Sequence, residues 1–146
     1  MGVDHHTKVK GDYAVLRTAA ELGRSGVLAC NPMTEHAPFD LVGYVQEAFV
    51  RVQVKYRTAV RGVVDIRLRS TWADRNGLHV RQNQGEIDLV SVYEPGLDRC
   101  LWLSPLDIGL SISIRTSPAS IGQQRRVHPA EDHFDLDAAL AAVVDG

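Results

Sequence analysis

The chain has 146 residues, 45% of them hydrophobic and 23% charged, with a formal net charge of −2. That composition fits one soluble globular domain with its own core, and the slightly acidic balance argues against a general polyanion binder. No apolar run approaches the roughly 20 residues of a membrane helix. The opening MGVDHHTKVK also lacks the apolar segment of a secretory signal, so the expected setting is the cytoplasm, with no membrane.

A single domain is expected over residues 1–146, with residues 1–9 as a flexible N-terminal segment that includes His5 and His6. Residues 10–24, KGDYAVLRTAAELGR, read as the first helix: Tyr13, Leu16, Ala19 and Ala20 recur at helical spacing, and Gly26 is its stop. VLAC, residues 27–30, reads as a short buried strand, and NPMTEHAP as a loop. FDLVGYV reads as a second strand, residues 46–48 as a turn and FVRVQVKY as a third strand. Along the third, Val50, Val52, Val54 and Tyr56 share one face, while Arg51, Gln53, Lys55 and Arg57 share the other. Residues 62–69 alternate again, with Val64, Ile66 and Leu68 inward and Asp65, Arg67 and Arg69 outward.

Residues 71–86 are polar and lack clean periodicity, which reads as a loop with a helical turn. IDLVSVY, residues 87–93, is a strand; EPGLDR is a turn, and CLWLS pairs back as a hairpin with Trp102 in the core. LSISIR, residues 110–115, alternates once more, leaving Arg115 away from the core, and TSPASIGQQRRVHP is a polar loop. His128 and His133 read as loop residues. Residues 135–144 form a closing helix capped by Asp135 or Asp137. The order predicts an α/β or α+β fold, a single domain with a central mixed β-sheet flanked by helices.

Cys30 and Cys100 make no disulfide framework and have no zinc spacing, so both are expected in strands as small apolar residues. Charge is unevenly spread. Residues 51–81 hold eight basic residues against Asp65 and Asp74, and residues 115–126 hold three arginines and no acid, while acids gather at both ends. A basic middle between acidic flanks suits a local phosphate-binding face, and equally suits charged strand edges.

Residues two apart on a strand share a face, so Gln53 and Lys55 point together, and Asp40 lies on the neighbouring strand across a short turn. A carboxylate, an amide oxygen and an ammonium held by rigid strands can hold a hard cation such as Mg²⁺ and orient water. The lysine adds positive charge for a transition state.

Five segments in order carry a resemblance: KGDYAVLRTAAELGRSG, PFDLV, VQVKY, GEIDLVSVYEPGLDRCLWLSP, and ISIRTSPASIGQQ with AEDHFDL. Together they resemble the PD-(D/E)xK nuclease superfamily, and in particular its branch of group I intron-encoded homing endonucleases, related to junction-resolving nucleases. The resemblance runs from Lys10 to about Asp137. It implies a restriction-endonuclease-like fold and Mg²⁺- or Mn²⁺-dependent hydrolysis of DNA phosphodiesters, leaving 5′-phosphate and 3′-hydroxyl ends. Asp40 would be the main metal ligand, with the Gln53 side-chain oxygen in place of the usual acid and the Val54 carbonyl on the same ion. Lys55 would orient the attacking water or stabilise the pentavalent phosphate.

One position departs from the pattern: the glutamate usual on the first helix falls at Val15. Asp12 lies three residues earlier, about 60° around a helix, and is the candidate substitute ligand. Arg67, Arg69, Arg75, Arg81 and Arg115 are the candidate DNA contacts, with Trp72 a base-stacking or packing residue among them. The implied partner is double-stranded or branched DNA, cut by a homodimer or homotetramer. The competing expectation is a catalytically degenerate nuclease fold that serves as a DNA-binding or protein-interaction module.

Overall fold

The structure, a computed structural model, describes residues 6–82, 84–117 and 128–146; for residues 6, 69–73, 78–82 and 84 it describes the backbone alone. Helix α1, His6–Arg24, begins four residues before the expected start. Its buried face is Ala14, Thr18 and Leu22, flanked by partly buried Val15 and Ala19. The expected stripe is corrected, because Tyr13 is 43% and Leu16 68% exposed. Small residues four apart let the helix approach the sheet, and the Thr18 hydroxyl there meets the Ser91 hydroxyl at 2.7 Å in the core. A leucine stripe would hold the two surfaces apart.

Strand β1, Leu28–Cys30, pairs antiparallel with β2, Leu41–Val45. It is an edge strand with only Ala29 packed inward, which corrects the expectation of a buried strand; Cys30 is accordingly exposed while Cys100 is buried. Gly43 on β2 leaves room for the Val27 side chain, which an added Cβ would meet at 2.8 Å. Strand β3, Ala48–Tyr56, returns antiparallel to β2. The turn between them places Gln46 and Glu47 both in the left-handed region, at φ 51° and 63°, as a two-residue hairpin requires.

Strand β4, Val63–Arg67, is followed by a hairpin of β5, Arg69–Asp74, and β6, Gly77–Gln82, and then by a single 3₁₀ turn at Gln84–Glu86. The expected loop over residues 71–86 is thus a β-hairpin. Strand periodicity in a sequence records burial of one face, and among the described residues no other element packs extensively against this hairpin, so the signal is missing. Strands β7, Leu89–Glu94, and β8, Arg99–Leu103, form the expected second hairpin. Helix α2, Pro105–Ile108, is a single turn that the sequence reading missed, opened by Ser104 as N-cap and Pro105.

Strand β9, Ser111–Arg115, pairs with β4 and with the two-residue β10, His128–Pro129. Residues 118–127 of the expected polar loop lie outside the described residues. Helix α3, Leu136–Val144, starts at Asp135, whose carboxylate accepts the Ala138 N–H at 3.0 Å.

The central sheet has the order β1-β2-β3-β7-β8, with β3 and β7 parallel and the other pairs antiparallel. It is the expected mixed sheet in a single α/β domain. One face, with Val50, Val52, Leu89 and Trp102, is covered by α1 and α3. On the other, Val90, Val92, Leu101 and Leu103 pack against Val64 and Ile66 of β4 and Ile112 and Ile114 of β9. Strand β7 is buried on both faces, as a central strand between two layers must be.

Candidate active site

Asp40 stands immediately before β2. Its N–H bonds the Val52 carbonyl at 2.9 Å, so the backbone still follows the β2–β3 ladder. Its side chain then takes over: a carboxylate oxygen accepts the Val54 N–H at 2.7 Å. In a strand the N–H and C=O of one residue point to the same side. The Val54 carbonyl therefore points toward the Asp40 side as well, past the end of β2.

Gln53 and Lys55 flank Val54 on the strand face opposite the valines. Parallel pairing sets Gln53 beside Val90 and Lys55 beside Val92, two side chains buried in the second core. This hydrocarbon border explains the next feature: the Gln53 Oε1 is buried and, among the described residues, has no hydrogen-bond partner. An amide oxygen in that state costs free energy, which a polar ligand or cation would recover. A carboxylate, an orphaned amide oxygen and a main-chain carbonyl make an all-oxygen set that fits a hard cation. Among the described residues no group of three or more His, Cys, Asp and Glu gathers for a metal, so the set has one acid and otherwise neutral oxygens.

The electrostatics agree with the crowding. Asp40 is accessible as a residue, yet the protein packed around its carboxylate raises its pKa above the usual carboxylate value. The Val54 N–H and the charge of Lys55 pull it down less strongly. Lys55 is lowered to about 8, first by burial, then by the neighbouring Arg57, against the attraction of Asp40. The two close ion pairs among the described residues are Arg17–Asp98 and Arg51–Asp88. Lys55 is committed to neither, and its amine stays available at the site.

The first helix reaches this end of the sheet from the other face. Lys10 lies with its ammonium 5.7 Å from the Tyr56 ring centroid, and Tyr13 meets Tyr93 edge-on at 5.2 Å. Val15 is packed into the first core, and Asp12 is exposed on the helix surface. The place usual for a helix acid is therefore filled by hydrocarbon.

The candidate DNA-contacting arginines divide into two groups. Arg67 is exposed at the end of β4, next to the root of the β5–β6 hairpin, and Arg75 is exposed at its tip. Arg69 and Arg81 sit on the hairpin strands, and their side chains lie outside the described residues, as does that of Trp72. Arg115 stands at the opposite end of β4, across from Val63.

Three supporting interactions escaped the sequence reading. Arg51 grips Asp88 through Nε and a terminal nitrogen, both at 3.0 Å, while the Arg51 N–H donates to the same carboxylate at 2.8 Å. Asp88 in turn donates its N–H to the Arg51 carbonyl at 2.9 Å. This clamp ties the start of β7 to β3 two residues before Gln53. Buried Glu94 accepts the N–H groups of Ala59 at 3.1 Å and Leu97 at 2.6 Å, fixing the turn after β7 and the chain leaving β3. Arg17 bonds Asp98, and the Tyr93 hydroxyl donates to Asp98 at 2.6 Å, which pins α1 to the β7–β8 turn. Only the Glu-Pro-Gly and Ile-Asp-Leu patterns hinted at the acids; the long-range partners have no local signal.

Comparison with known proteins gives a consistent picture. The model of a family described as PD-(D/E)XK endonuclease matches residues 5–136. The solved structure of a bacterial homing endonuclease, I-Ssp6803I, superimposes with a TM-score of 0.73 at 20% identity, covering 96% of this chain and 95% of that one. A search of curated proteins found no match.

Proposed function

The chain belongs to the PD-(D/E)XK endonuclease family, and on that premise we propose that it is a metal-dependent DNA endonuclease of the homing or junction-resolving type, acting in the cytoplasm. Asp40 is the charged ligand for a divalent cation, Mg²⁺ or Mn²⁺, with the Gln53 Oε1 and the Val54 carbonyl as neutral ligands. Asp12, exposed on α1, is a further candidate ligand. Such a cation supplies Lewis-acid polarisation of the scissile phosphate and favours deprotonation of an attacking water.

Lys55 brings an amine to the same place. As ammonium it stabilises the charge that grows on the pentavalent phosphate. With a pKa of about 8 it also exchanges a proton readily near neutral pH, which suits it to orient or relieve the attacking water. Arg67, Arg69, Arg75, Arg81 and Arg115 contact DNA phosphates and bases. Breaking both strands with one site per chain calls for two chains, so a homodimer or homotetramer is the working form. No helix among the described residues is long and apolar enough to cross a membrane.

The observation that carries this reading is the buried, unpartnered Gln53 Oε1 one residue from the Asp40–Val54 hydrogen bond. The test presents supercoiled, linear and branched DNA to the purified protein with Mg²⁺ or Mn²⁺. Nicking or cleavage is expected, and it disappears in Asp40→Ala and Lys55→Ala. Intact DNA under every condition would overturn the enzymatic reading.

A second reading follows from Val15, which leaves one acid at the site. A degenerate nuclease fold would bind DNA in a salt-dependent way, without cutting, and equally well after Asp40→Ala.

A further inference from the structure

The β5–β6 hairpin forms a two-stranded sheet of its own. Its strands pair from Arg69 opposite Gln82 to Asp74 opposite Gly77, and among the described residues no other element packs extensively against either strand. A lone two-stranded ribbon is marginal in water, so a projecting one points to a surface that completes it. The tip is exposed from Asp74 to Gly77. The Asn76 N–H donates to the Asp74 side chain at 2.7 Å, and Gly77 takes φ 116°, which leaves the Arg75 and Asn76 side chains at the apex.

Charge selects the partner. Residues 69–82 carry Arg69, Arg75 and Arg81 against Asp74, in a chain whose net charge is −2. The root of the ribbon is firm where its tip is exposed. Beyond the 3₁₀ turn that follows β6, Asp88 is clamped to Arg51, which shares a strand face with Gln53 and Lys55.

We infer that β5–β6 is the sequence-reading arm of this nuclease and enters the major groove of duplex DNA, with Arg75 and Asn76 meeting base edges. The inference rests on the DNA-endonuclease reading above. Paired strands about 4.8 Å apart fit a groove about 12 Å wide, and six residues reach about 20 Å against a groove depth of about 8.5 Å. Arginine and asparagine are the side chains that read guanine and adenine bidentately. The arm supplies sequence preference, while Asp40, Gln53 and Lys55 supply hydrolysis, and the Arg51–Asp88 clamp fixes the distance between the two.

The experiment selects from a randomised duplex pool with the full-length protein, with Arg75→Ala/Asn76→Ala, and with a shortened arm in which a two-residue turn replaces residues 71–80. The wild type is expected to enrich a defined sequence class. The double variant is expected to lose preference tenfold or more at one or two base pairs, as read from the sequences it recovers from the pool. The shortened arm should lose selection altogether; if it fails to fold, the double variant decides alone. Enrichment of the same sequences by wild type and double variant would overturn the inference. So would a wild type that cuts DNA without preference, or a shortened arm that changes only the state of assembly, which would give the ribbon to a second copy of the chain. A wild type that neither binds nor cuts any DNA would overturn the nuclease reading together with it.

Discussion

Gln53→Glu tests the candidate metal site most directly, because it changes the charge of one oxygen and little else. In the wild type that oxygen is buried and unpartnered. A carboxylate there would join Asp40 in the proposed ligand set, and the surroundings of Asp40 already push its pKa above the usual range. Without a cation, two like charges at roughly 4 Å repel by about 4 kcal/mol at an effective dielectric constant near 20, part of which Lys55 offsets. A dication at the same separation attracts the new carboxylate about twice as strongly. After the cost of gathering the two acids is subtracted, about 3–4 kcal/mol of extra cation affinity remains, or two to three orders of magnitude in Kd. Calorimetric titration of Mg²⁺ and Mn²⁺ into DNA-free protein reads this directly. Thermal melting reads it again: the variant melts below the wild type in chelator and above it in saturating cation. Equal affinities and no cation-dependent melting shift would refute the assignment of Gln53 Oε1 as a ligand.

Three further outcomes are expected. Asp40→Asn keeps an oxygen for the Val54 N–H, so it should fold with about wild-type stability, lose cation affinity and cleavage together, and lower the Lys55 pKa further by removing its attracting charge; unchanged cation affinity would count against Asp40 as the charged ligand. Lys55 is depressed to about 8, so its ammonium form burdens the folded state below that pH, and the burden fades as pH rises toward the ordinary lysine value. Denaturant midpoints should therefore show Lys55→Met gaining more over wild type at pH 7 than at pH 9.5, and an equal gain at the two pH values would show that the amine is well solvated. Asp88 is depressed by its hydrogen bonds to Arg51, so its stabilisation is present above the ordinary aspartate value and lost as pH falls through the depressed one. Asp88→Asn should cost about 1–3 kcal/mol at pH 7, with the difference from wild type vanishing in acid unfolding near the bottom of that range.

The sequence exposed those parts of the fold whose pattern comes from burial. Strand β3 and strand β4 alternate because one face of each meets a core, and Asp135 announces α3 because a cap is a local device. Helix α1 was legible as a helix but not in its orientation, since alanine and threonine at Ala14 and Thr18 carry less signal than the exposed Leu16. The β5–β6 hairpin left no trace because, among the described residues, no other element packs extensively against it. At the site, Asp40, Gln53 and Lys55 were named from strand geometry and a family resemblance. The bond from Val54 to Asp40 and the solitude of the Gln53 oxygen depend on where β2 stops and on what β7 places beside β3, which no spacing in the sequence records.

The early end of β2 has a consequence of its own. At Val54 the zipper of main-chain bonds between β2 and β3 is left one tooth short, and a side chain stands in the gap. Were the pairing to run one step further, the backbone would claim both polar groups of Val54 and close the opening through which a cation could reach them. A better-formed hairpin would be a sealed one, so the chemistry proposed for this chain lives in an unfinished seam.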